Sequence, residues 1–287
     1  MIHKEFTMRS VDGLNLFGQY WAPEEKTSAV LCLVHGHGEH STRYEPWAER
    51  FAAQGVATVT FDLRGHGRSE GKRGYSPSYV RLMEDIDILI QRAREYFPDR
   101  PVFLYGHSMG GNLVLGYAVR RCLYLNGIIA TSPWLKLTKE LPGIAQLVIN
   151  AMRLIAPRMT IHSRLDAAGI SHDKEEVARY VSDPLNHDMI TPALYVQIRN
   201  MGRKLMKGGE VNVPVLVVHG TADPITDPAG SKAFVEHATG EDIKLKLFDG
   251  LYHETHHEPE REEVFNYIYG WMKERMEEEA RSAKLEA

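Results

Sequence analysis

The sequence has little cysteine and almost no net charge. It holds 2 cysteines in 287 residues, Cys32 and Cys122, and its formal net charge is −4. Two cysteines in apolar surroundings cannot form a disulfide scaffold, and they are typical of small buried side chains in a reducing compartment. A slightly acidic chain gives no electrostatic reason to expect a nucleic-acid partner. Both absences argue against a disulfide-rich secreted domain and against a nucleic-acid-binding module.

Long apolar runs are absent as well. The first residues, MIHKEFTMRS, contain no signal-peptide core, and no stretch approaches the roughly 20 apolar residues that span a bilayer. We therefore expect a cytoplasmic protein. Its 43% hydrophobic and 25% charged residues are ordinary for a globular chain of 287 residues, which is long enough for one large domain with an insertion. Nothing in the sequence predicts an oligomeric state.

Strand and helix patterns alternate through most of the chain. A hairpin with its turn at 11–13 comes first, and strand patterns then lie at 29–36, 56–65, 101–106, 127–132, 213–220 and 243–250. Helical patterns lie at 46–55, 76–97 and 112–121, and a long one at 260–282 closes the chain. Near-continuously apolar strands that alternate with helices indicate an α/β fold with a mostly parallel sheet covered by helices on both faces.

One long segment interrupts this alternation. From 133 to 209 no strand is predicted, and the clearest patterns are helical, at 143–157 and 174–185. The predicted organisation is a core formed by 1–132 and 210–287, with a helical cap inserted at 133–209. In the first core segment, the helix at 76–97 is expected to bury an apolar stripe formed by Val80, Met83, Ile86, Leu89 and Ile90.

A G-x-S-x-G motif at 106–110 lies between a predicted strand and a predicted helix, the context that this motif requires. The sharp turn lifts the serine hydroxyl out of the sheet, and glycines two positions away on either side leave room for it. Ser108 is therefore the candidate nucleophile. The Met109 amide, at the start of the helix, is a candidate donor to a developing oxyanion.

A second oxyanion donor is expected from the loop after an earlier strand. The residues His35-Gly36-His37-Gly38 occupy that place, and their glycines allow the His37 amide to turn toward Ser108. The alternative interpretation of this loop is a histidine-rich metal site. It lacks support from cysteines or from a further set of ligands.

A serine nucleophile needs a base that a third group orients, and in this type of fold the chain order is serine, acid, histidine. Asp223 follows a predicted strand, at the sheet edge where the catalytic groups of α/β folds gather. Asp227, which resembles a helix cap, and Asp249 are the rival acids. His253 follows the last predicted strand and completes the set with Ser108 and Asp223.

His253 also begins a match to H-E-x-x-H, which on a helix would hold zinc. That interpretation needs both histidines of the motif on one helix face. Gly250 precedes the match and Pro259 follows it, which leaves about one helical turn at best. We therefore predict a catalytic loop here rather than a metal-binding helix, and we expect neither a metal nor an organic cofactor.

Several motifs together resemble the monoacylglycerol lipase family of the α/β-hydrolase superfamily. They are HGHGEHSTRY from His35, FDLRGHGRSEG from Phe61, GHSMGG from Gly106, SDPL from Ser182, HGTAD from His219 and YHETHHE from Tyr252. These motifs follow one another in order across 35–258. HGxGEHSxRY and GHSMGG are shared with relatives called lysophospholipases, so the motifs indicate the family more specifically than the substrate.

The resemblance implies an α/β-hydrolase fold and hydrolysis of a single-chain glycerol ester to fatty acid and glycerol. It implies Ser108 as nucleophile, with Asp223 and His253 as its partners. It also implies that the amides of His37 and Met109 form the oxyanion hole.

A polar subsite for the glycerol head is implied at Glu39, Arg43, Tyr180 and His256. For Glu39 and Arg43 the alternative is an ion pair that braces the HGHG loop, and for Tyr180 it is packing at a helix end. In relatives the position of His37 often holds an apolar or small residue. A histidine keeps the backbone donor and makes the wall of the pocket more polar.

The cap contains a strongly apolar helical stretch at 141–159. A cap above the strand ends covers the active site, and each methylene of an acyl chain buried in an apolar tunnel gains about 0.8 kcal/mol. We expect this stretch, including Leu147 and Ile155, to bind the acyl chain of a small lipid ester and to contact a membrane or micelle peripherally. The alternative is an ordinary helix face packed on the sheet.

Other functions fit the same residues. A lysophospholipase or a general carboxylesterase would share every catalytic group and differ only in the shape of its pocket. A peptidase on this fold would need a carboxylate clamp for a free amino terminus, for which the sequence offers no obvious candidate. A non-catalytic binding protein would be expected to have lost part of the triad, and all members of the triad are present.

Overall fold

The computed structural model describes residues 1–121, 124–163 and 165–286. Its strands are β1 (Ile2–Arg9), β2 (Asn15–Ala22), β3 (Ala29–Val34), β4 (Val56–Phe61), β5 (Val102–His107), β6 (Gly127–Thr131), β7 (Ile161–His162), β8 (Met189–Ile190), β9 (Val215–Gly220) and β10 (Ile243–Phe248). Eight of them form one sheet in the order β1-β2-β4-β3-β5-β6-β9-β10. The strands from β4 to β10 in this order pair in parallel, and β2 joins antiparallel to β1 and β4.

The hairpin predicted at the start of the chain is confirmed. Gly13 has a φ of 86° in the turn between β1 and β2, a conformation that glycine adopts without steric cost. Its amide donates to the Ser10 carbonyl over 2.9 Å. The hairpin adds an antiparallel edge to a sheet that is otherwise parallel.

Helices cover both faces of the sheet. They are α1 (Glu45–Ala53), α2 (Tyr79–Tyr96), α3 (Met109–Arg120), α4 (Gly143–Ile155), α5 (Lys174–Ser182), α6 (Pro192–Leu205), α7 (Pro228–His237) and α8 (Arg261–Glu286). Buried side chains of α2, α3, α6 and α7 form one apolar core with the sheet, and those of α1 and α8 form a second core on the opposite face. The predicted α/β architecture is therefore confirmed.

The buried stripe of α2 differs from the prediction at one position. Met83, Ile86, Leu89 and Ile90 are buried, but the side chain of Val80 is 49% exposed. Tyr79, rather than Val80, continues the spacing of three and four residues that the buried side chains follow. Of the two cysteines, Cys32 is buried in β3, and Cys122 lies outside the described residues.

The segment 133–209 contains more structure than its sequence pattern predicted. β7 and β8 pair with each other over two residues each, which is too short to produce a recognisable alternation. α6 packs against α3 and buries most of its residues. A signal for α6 was present, because the Thr191 side chain caps the helix and Pro192 opens it. Among the described residues, no helix has the length and apolar character that a membrane span requires.

Candidate active site

Ser108 lies in a strained turn between β5 and α3. Its φ of 53° and ψ of −113° are rare for a residue other than glycine. The neighbouring glycines are required by close packing: a Cβ on Gly106 would lie 2.3 Å from the Gly110 carbonyl oxygen, and one on Gly110 would lie 2.1 Å from that of Val34. The surrounding backbone therefore holds the turn in place, and Ser108 lines a cavity of about 580 Å³.

Asp223 and His253 form a buried pair. His253 Nδ1 lies 2.7 Å from Asp223 Oδ2, and the two residues are 3% and 4% exposed respectively. The other carboxylate oxygen accepts from the amides of Ile225 and Thr226 at 2.8 and 3.0 Å. The carboxylate is therefore held on both oxygens, and its contact with His253 leaves the opposite ring nitrogen available to a neighbouring hydroxyl.

The charges of this pair follow from its surroundings. Burial opposes the ionisation of Asp223, but the charge of His253 and hydrogen bonds from His219 and His253 outweigh it, so the pKa of Asp223 falls far below its usual range. Burial likewise opposes protonation of His253, but Asp223 raises the pKa of His253 above its ordinary value. The pair thus consists of an ionised carboxylate and a histidine of increased basicity.

Sheet topology brings these side chains to one edge. Ser108 follows β5, Asp223 follows β9 and His253 lies in the loop after β10. These strands are parallel and close together in the order β5-β6-β9-β10, so their carboxyl ends meet at the same edge. Ser108 and His253 line the same cavity. The rival Asp227 caps α7 by accepting from the Ala229 amide, and Asp249 accepts from the Thr221 hydroxyl.

The loop after β3 passes directly over the serine. A Cβ on Gly36 would lie 3.2 Å from Ser108 Cβ and 2.7 Å from Glu39 Oε1. His37 lines the same cavity, and the Gly38 carbonyl accepts from the His187 amide over 2.8 Å. The Met109 amide, next to Ser108, is the first of α3, where helix amides have no intrahelical acceptor.

The His37 side chain belongs to a group of uncharged histidines that sequence reasoning missed. Its ring centroid lies 5.5 Å from that of His66 and 5.7 Å from that of His187. Burial, followed by the proximity of His187 and His35, lowers the pKa of His37 to about 3. These residues come from separate segments of the chain, so no local sequence motif predicted that they would lie together.

Arg43 holds two buried carboxylates. Its Nη1 donates to Glu39 Oε2 over 2.6 Å, and both terminal nitrogens bind Glu254, at 2.8 and 2.7 Å. Glu39 Oε1 accepts from the Gly36 amide at 2.6 Å and from the Tyr44 hydroxyl at 2.8 Å. Burial opposes ionisation of Glu39, but Arg43 outweighs it and keeps the pKa below its ordinary value. Arg43 therefore ties the loop before α1 to the loop that carries His253.

The four residues assigned to a glycerol subsite lie in two places. Glu39 and Tyr180 line the cavity of Ser108, and so does Glu254, which sequence reasoning considered only as part of H-E-x-x-H. Arg43 and His256 line a separate cavity of about 770 Å³. The His256 ring stacks on Tyr44 with a centroid distance of 4.8 Å. With respect to the Ser108 cavity, Arg43 lies behind the lining residues, 4.7 Å from the ring centroid of Tyr180.

The H-E-x-x-H residues are not on a helix, because α8 begins only at Arg261. The potential ligand atoms of Glu254, His256 and His257 do lie within 4.8 Å of one another. However, Arg43 binds both oxygens of Glu254 and approaches His257 Nδ1 to 3.4 Å. A permanent cation in this position opposes a metal ion, so the three side chains do not fit a metal site.

Arg43→Met is expected to lower the free energy of unfolding by about 3–5 kcal/mol, because it leaves Glu39 and Glu254 buried without a cation. Urea unfolding at neutral pH measures this loss. The control is Arg92→Met, whose partner Glu95 forms an exposed pair, with side chains 36% and 46% exposed. There the expected loss is about 0–1 kcal/mol. Equal losses in the two variants would contradict the bracing role of Arg43.

The chain is similar in sequence to one protein family and to several characterised proteins. The family model described as "Serine aminopeptidase, S33" matches residues 25–260. An uncharacterized abhydrolase domain-containing protein of Dictyostelium discoideum is 37% identical over 260 residues, which are 90% of this chain. This chain spans only 27% of the length of that relative.

Two further comparisons extend over nearly the whole length of both proteins. The monoacylglycerol lipase of Mycolicibacterium smegmatis is 32% identical over 270 residues, 93% of this chain and 96% of the relative. The crystal structure of Paleococcus ferrophilus monoacylglycerol lipase matches with a TM-score of 0.83 and 33% identity, over 91% of this chain and 99% of that chain. The chain therefore belongs to the monoacylglycerol lipase family of the α/β-hydrolase superfamily.

Proposed function

We propose that this protein is a serine hydrolase that cleaves monoacylglycerols to fatty acid and glycerol. The observation that carries the proposal is the cavity that both Ser108 and His253 line. At about 580 Å³ it has the size of a site for one small ligand. The relatives named as monoacylglycerol lipases support the same substrate class.

The lining of the cavity suits a molecule with one polar and one apolar end. Beside Ser108, its polar lining includes Glu39, Tyr180, His253 and Glu254, together with His37, His107, Lys139, His162, Ser163, Asp166 and Thr226. Glu39, Glu254 and Tyr180 all contact Arg43, so they lie on one side. The apolar lining comes largely from the segment 133–209 and includes Leu137, Leu141, Ile149, Ile161, Leu165, Ile170 and Ile190. The polar lining suits the glycerol head, and the apolar lining suits the acyl chain.

The proposed mechanism uses the serine, the Asp–His pair and two amides. His253 takes the Ser108 proton as the serine attacks the ester carbonyl, and Asp223 stabilises the imidazolium that forms. The amides of His37 and Met109 donate to the oxyanion, a contribution that is typically worth about 3–4 kcal/mol for each donor. Glycerol leaves with the proton from His253, and water then cleaves the acyl-enzyme.

The cap remains part of this proposal, with 1–132 and 210–287 as the core and 133–209 as the insertion. The residues that line the cavity from this segment fall mainly between 137 and 190. α6, by contrast, packs on α3 and continues the core. The covering part of the insertion is therefore about its first three-quarters.

The polar lining also distinguishes the alternatives. Two carboxylates, Glu39 and Glu254, lie where a head group would bind, which disfavours the phosphate of a lysophospholipid. Because Arg43 already pairs with both, neither offers a free carboxylate to the ammonium group of a peptide. A neutral glycerol head avoids both problems.

A hydrolysis panel tests the proposed function. We expect kcat/KM for long-chain monoacylglycerols to exceed that for the matching lysophospholipids, diacylglycerols and aminoacyl anilides. A p-nitrophenyl ester reports general esterase activity in the same panel. If the lysophospholipid or the anilide were hydrolysed faster than the monoacylglycerol, the protein would be a lysophospholipase or a peptidase instead.

The outer face of α4 is expected to rest on a membrane or micelle. Contrary to the sequence-based expectation, Leu147 and Ile155 do not line the cavity; their side chains are 68% and 85% exposed. Ile144, Val148 and Leu154 are exposed on the same helix, whereas Ile149 faces the cavity. An amphipathic helix of this kind binds an interface through its exposed apolar side chains.

We therefore expect Leu147→Gln with Ile155→Gln to weaken binding to phosphatidylcholine vesicles by about tenfold or more, since two apolar side chains no longer enter the interface. Hydrolysis of a soluble short-chain ester stays near wild type. Ile149→Gln does the reverse: it raises KM for long-chain substrates and leaves vesicle binding unchanged. Vesicle co-sedimentation and rate measurements separate the two, and unchanged vesicle binding in the double variant would contradict the interfacial role.

A further inference from the structure

Asp223 contacts a second histidine besides His253. His219, on β9, is fully buried. Its Nε2 lies 3.1 Å from Asp223 Oδ2 and 3.1 Å from the Thr226 carbonyl oxygen. Since an ionised carboxylate and a carbonyl can only accept, Nε2 must carry a hydrogen and donate it. His219 is therefore a hydrogen-bond donor to the acid that orients His253.

The other nitrogen of His219 has its own partner. Nδ1 lies 2.7 Å from the hydroxyl oxygen of Ser231, a buried residue of α7. In the neutral ring Nδ1 has no hydrogen, because Nε2 carries it, so the Ser231 hydroxyl donates. A chain of hydrogen bonds then runs from Ser231 through His219 to Asp223.

Three donors share one oxygen of Asp223. Besides His219, His253 Nδ1 lies 2.7 Å and the Thr226 hydroxyl 2.8 Å from Oδ2. Each donor withdraws negative charge from the carboxylate, and the proton affinity of His253 depends on how much of that charge it faces. A donor added to Asp223 therefore makes His253 less basic, and a donor removed makes it more basic.

We propose that His219 is a positioning residue that fixes the Asp223 carboxylate and limits how far Asp223 increases the basicity of His253. The proposal rests on the proposed hydrolase function, because it concerns the same serine and histidine. It adds a role to a residue that sequence reasoning treated only as part of a family motif. His219 acts through Asp223 and does not line the substrate cavity.

The other charges around His253 stay in place when His219 is changed. The titratable and charged groups that face His253 are Asp223, Glu39, Glu254 and His107, with Arg43 behind the two glutamates. Near His219 itself lie Asp223 and, at longer range, Asp227, which pairs with Lys136. A shift in the titration of His253 after a change at His219 thus reports the lost donor.

The test follows the labelling rate of Ser108 by a fluorophosphonate against pH. This rate rises as His253 loses its proton, and it requires no knowledge of the natural substrate. His219→Phe removes the donor and keeps a ring. We expect the acidic limb of the labelling profile to move to higher pH by about 0.5–1 unit, which is the effect of one hydrogen bond on the titration of His253. We also expect the plateau rate of labelling to fall about tenfold. His219→Gln retains an N–H at a similar distance, and its profile stays within about 0.2 unit of wild type.

Ser231→Ala keeps the His219 ring but removes the hydroxyl that donates to it. We expect this variant to shift the acidic limb of the labelling profile in the same direction as His219→Phe, by a smaller amount. It therefore tests the role of His219 even where His219→Phe does not fold. Coinciding profiles for wild type and His219→Phe, or equal shifts for His219→Phe and His219→Gln, would overturn the role of His219. Absence of labelling in the wild type would instead overturn the proposed function, and the inference with it.

Discussion

Ser108→Ala is expected to lower kcat for ester hydrolysis by about 10⁶-fold, a loss of the size found when the nucleophile is removed from other serine hydrolases. The alanine leaves the turn and its packing intact but provides no hydroxyl for the acyl-enzyme. Rates on a monoacylglycerol and labelling by a fluorophosphonate measure the loss, and labelling should disappear entirely.

The matched control is Ser182→Ala, at an exposed serine on α5 whose hydroxyl donates to the Ala178 carbonyl. This variant should keep wild-type labelling and rate. Thermal unfolding should place both variants close to the wild type, because neither removes a buried apolar contact. Full esterase activity in Ser108→Ala would reject the nucleophile and, with it, the proposed mechanism.

Asp223→Asn is expected to lower kcat by about 10⁴-fold, because an amide no longer holds the histidine in its productive tautomer. Both carboxylate oxygens of Asp223 accept hydrogen bonds, from two amides on one side and from His253, Thr226 and His219 on the other. In either orientation of the asparagine amide, its NH₂ group faces hydrogen-bond donors and cannot accept from them. The measurement is kcat/KM on a soluble ester across pH.

The expected pH dependence has a definite sign. His253 must be neutral to act as a base, so activity rises as pH rises through its pKa, which Asp223 holds above the ordinary value. Without the charge of Asp223 this pKa falls, and the residual activity of Asp223→Asn should have its acidic limb at lower pH. Asp227→Asn is the control, since Asp227 caps α7 and binds Lys136. A larger loss in Asp227→Asn than in Asp223→Asn would exchange the two assignments.

Sequence reasoning worked best where chemistry depends on local backbone geometry. The G-x-S-x-G turn could be predicted because its glycines are forced by contacts within β5 and α3 and with the adjacent β3, whose strand pattern was also clear. The order of the acid and the histidine along the chain followed from strand ends that the apolar runs marked. The same reasoning selected Asp223 over Asp227, which the structure places at the start of α7.

The predictions from sequence were wrong where the role of a residue depends on which way its side chain faces. Leu147 and Ile155 belong to the apolar stretch expected to bind the acyl chain, yet they lie on the outer face of α4, and Ile149 lines the cavity instead. An apolar cap helix has two such faces, and the sequence does not say which one meets the cavity. The side chain of Val80 was misassigned on α2 for a related reason.

The sequence by itself determined the parallel sheet, the serine turn and the candidate acid and base, because each depends on residues that are neighbours in the chain or on strand order. Only the tertiary structure decided how charges that lie far apart in the chain are paired. Arg43 meets Glu254 across 211 positions of sequence, and Ser231 on α7 contacts His219 on β9, which in turn contacts Asp223. A buried charge must find its partner in three dimensions, and sequence separation carries no information about that distance.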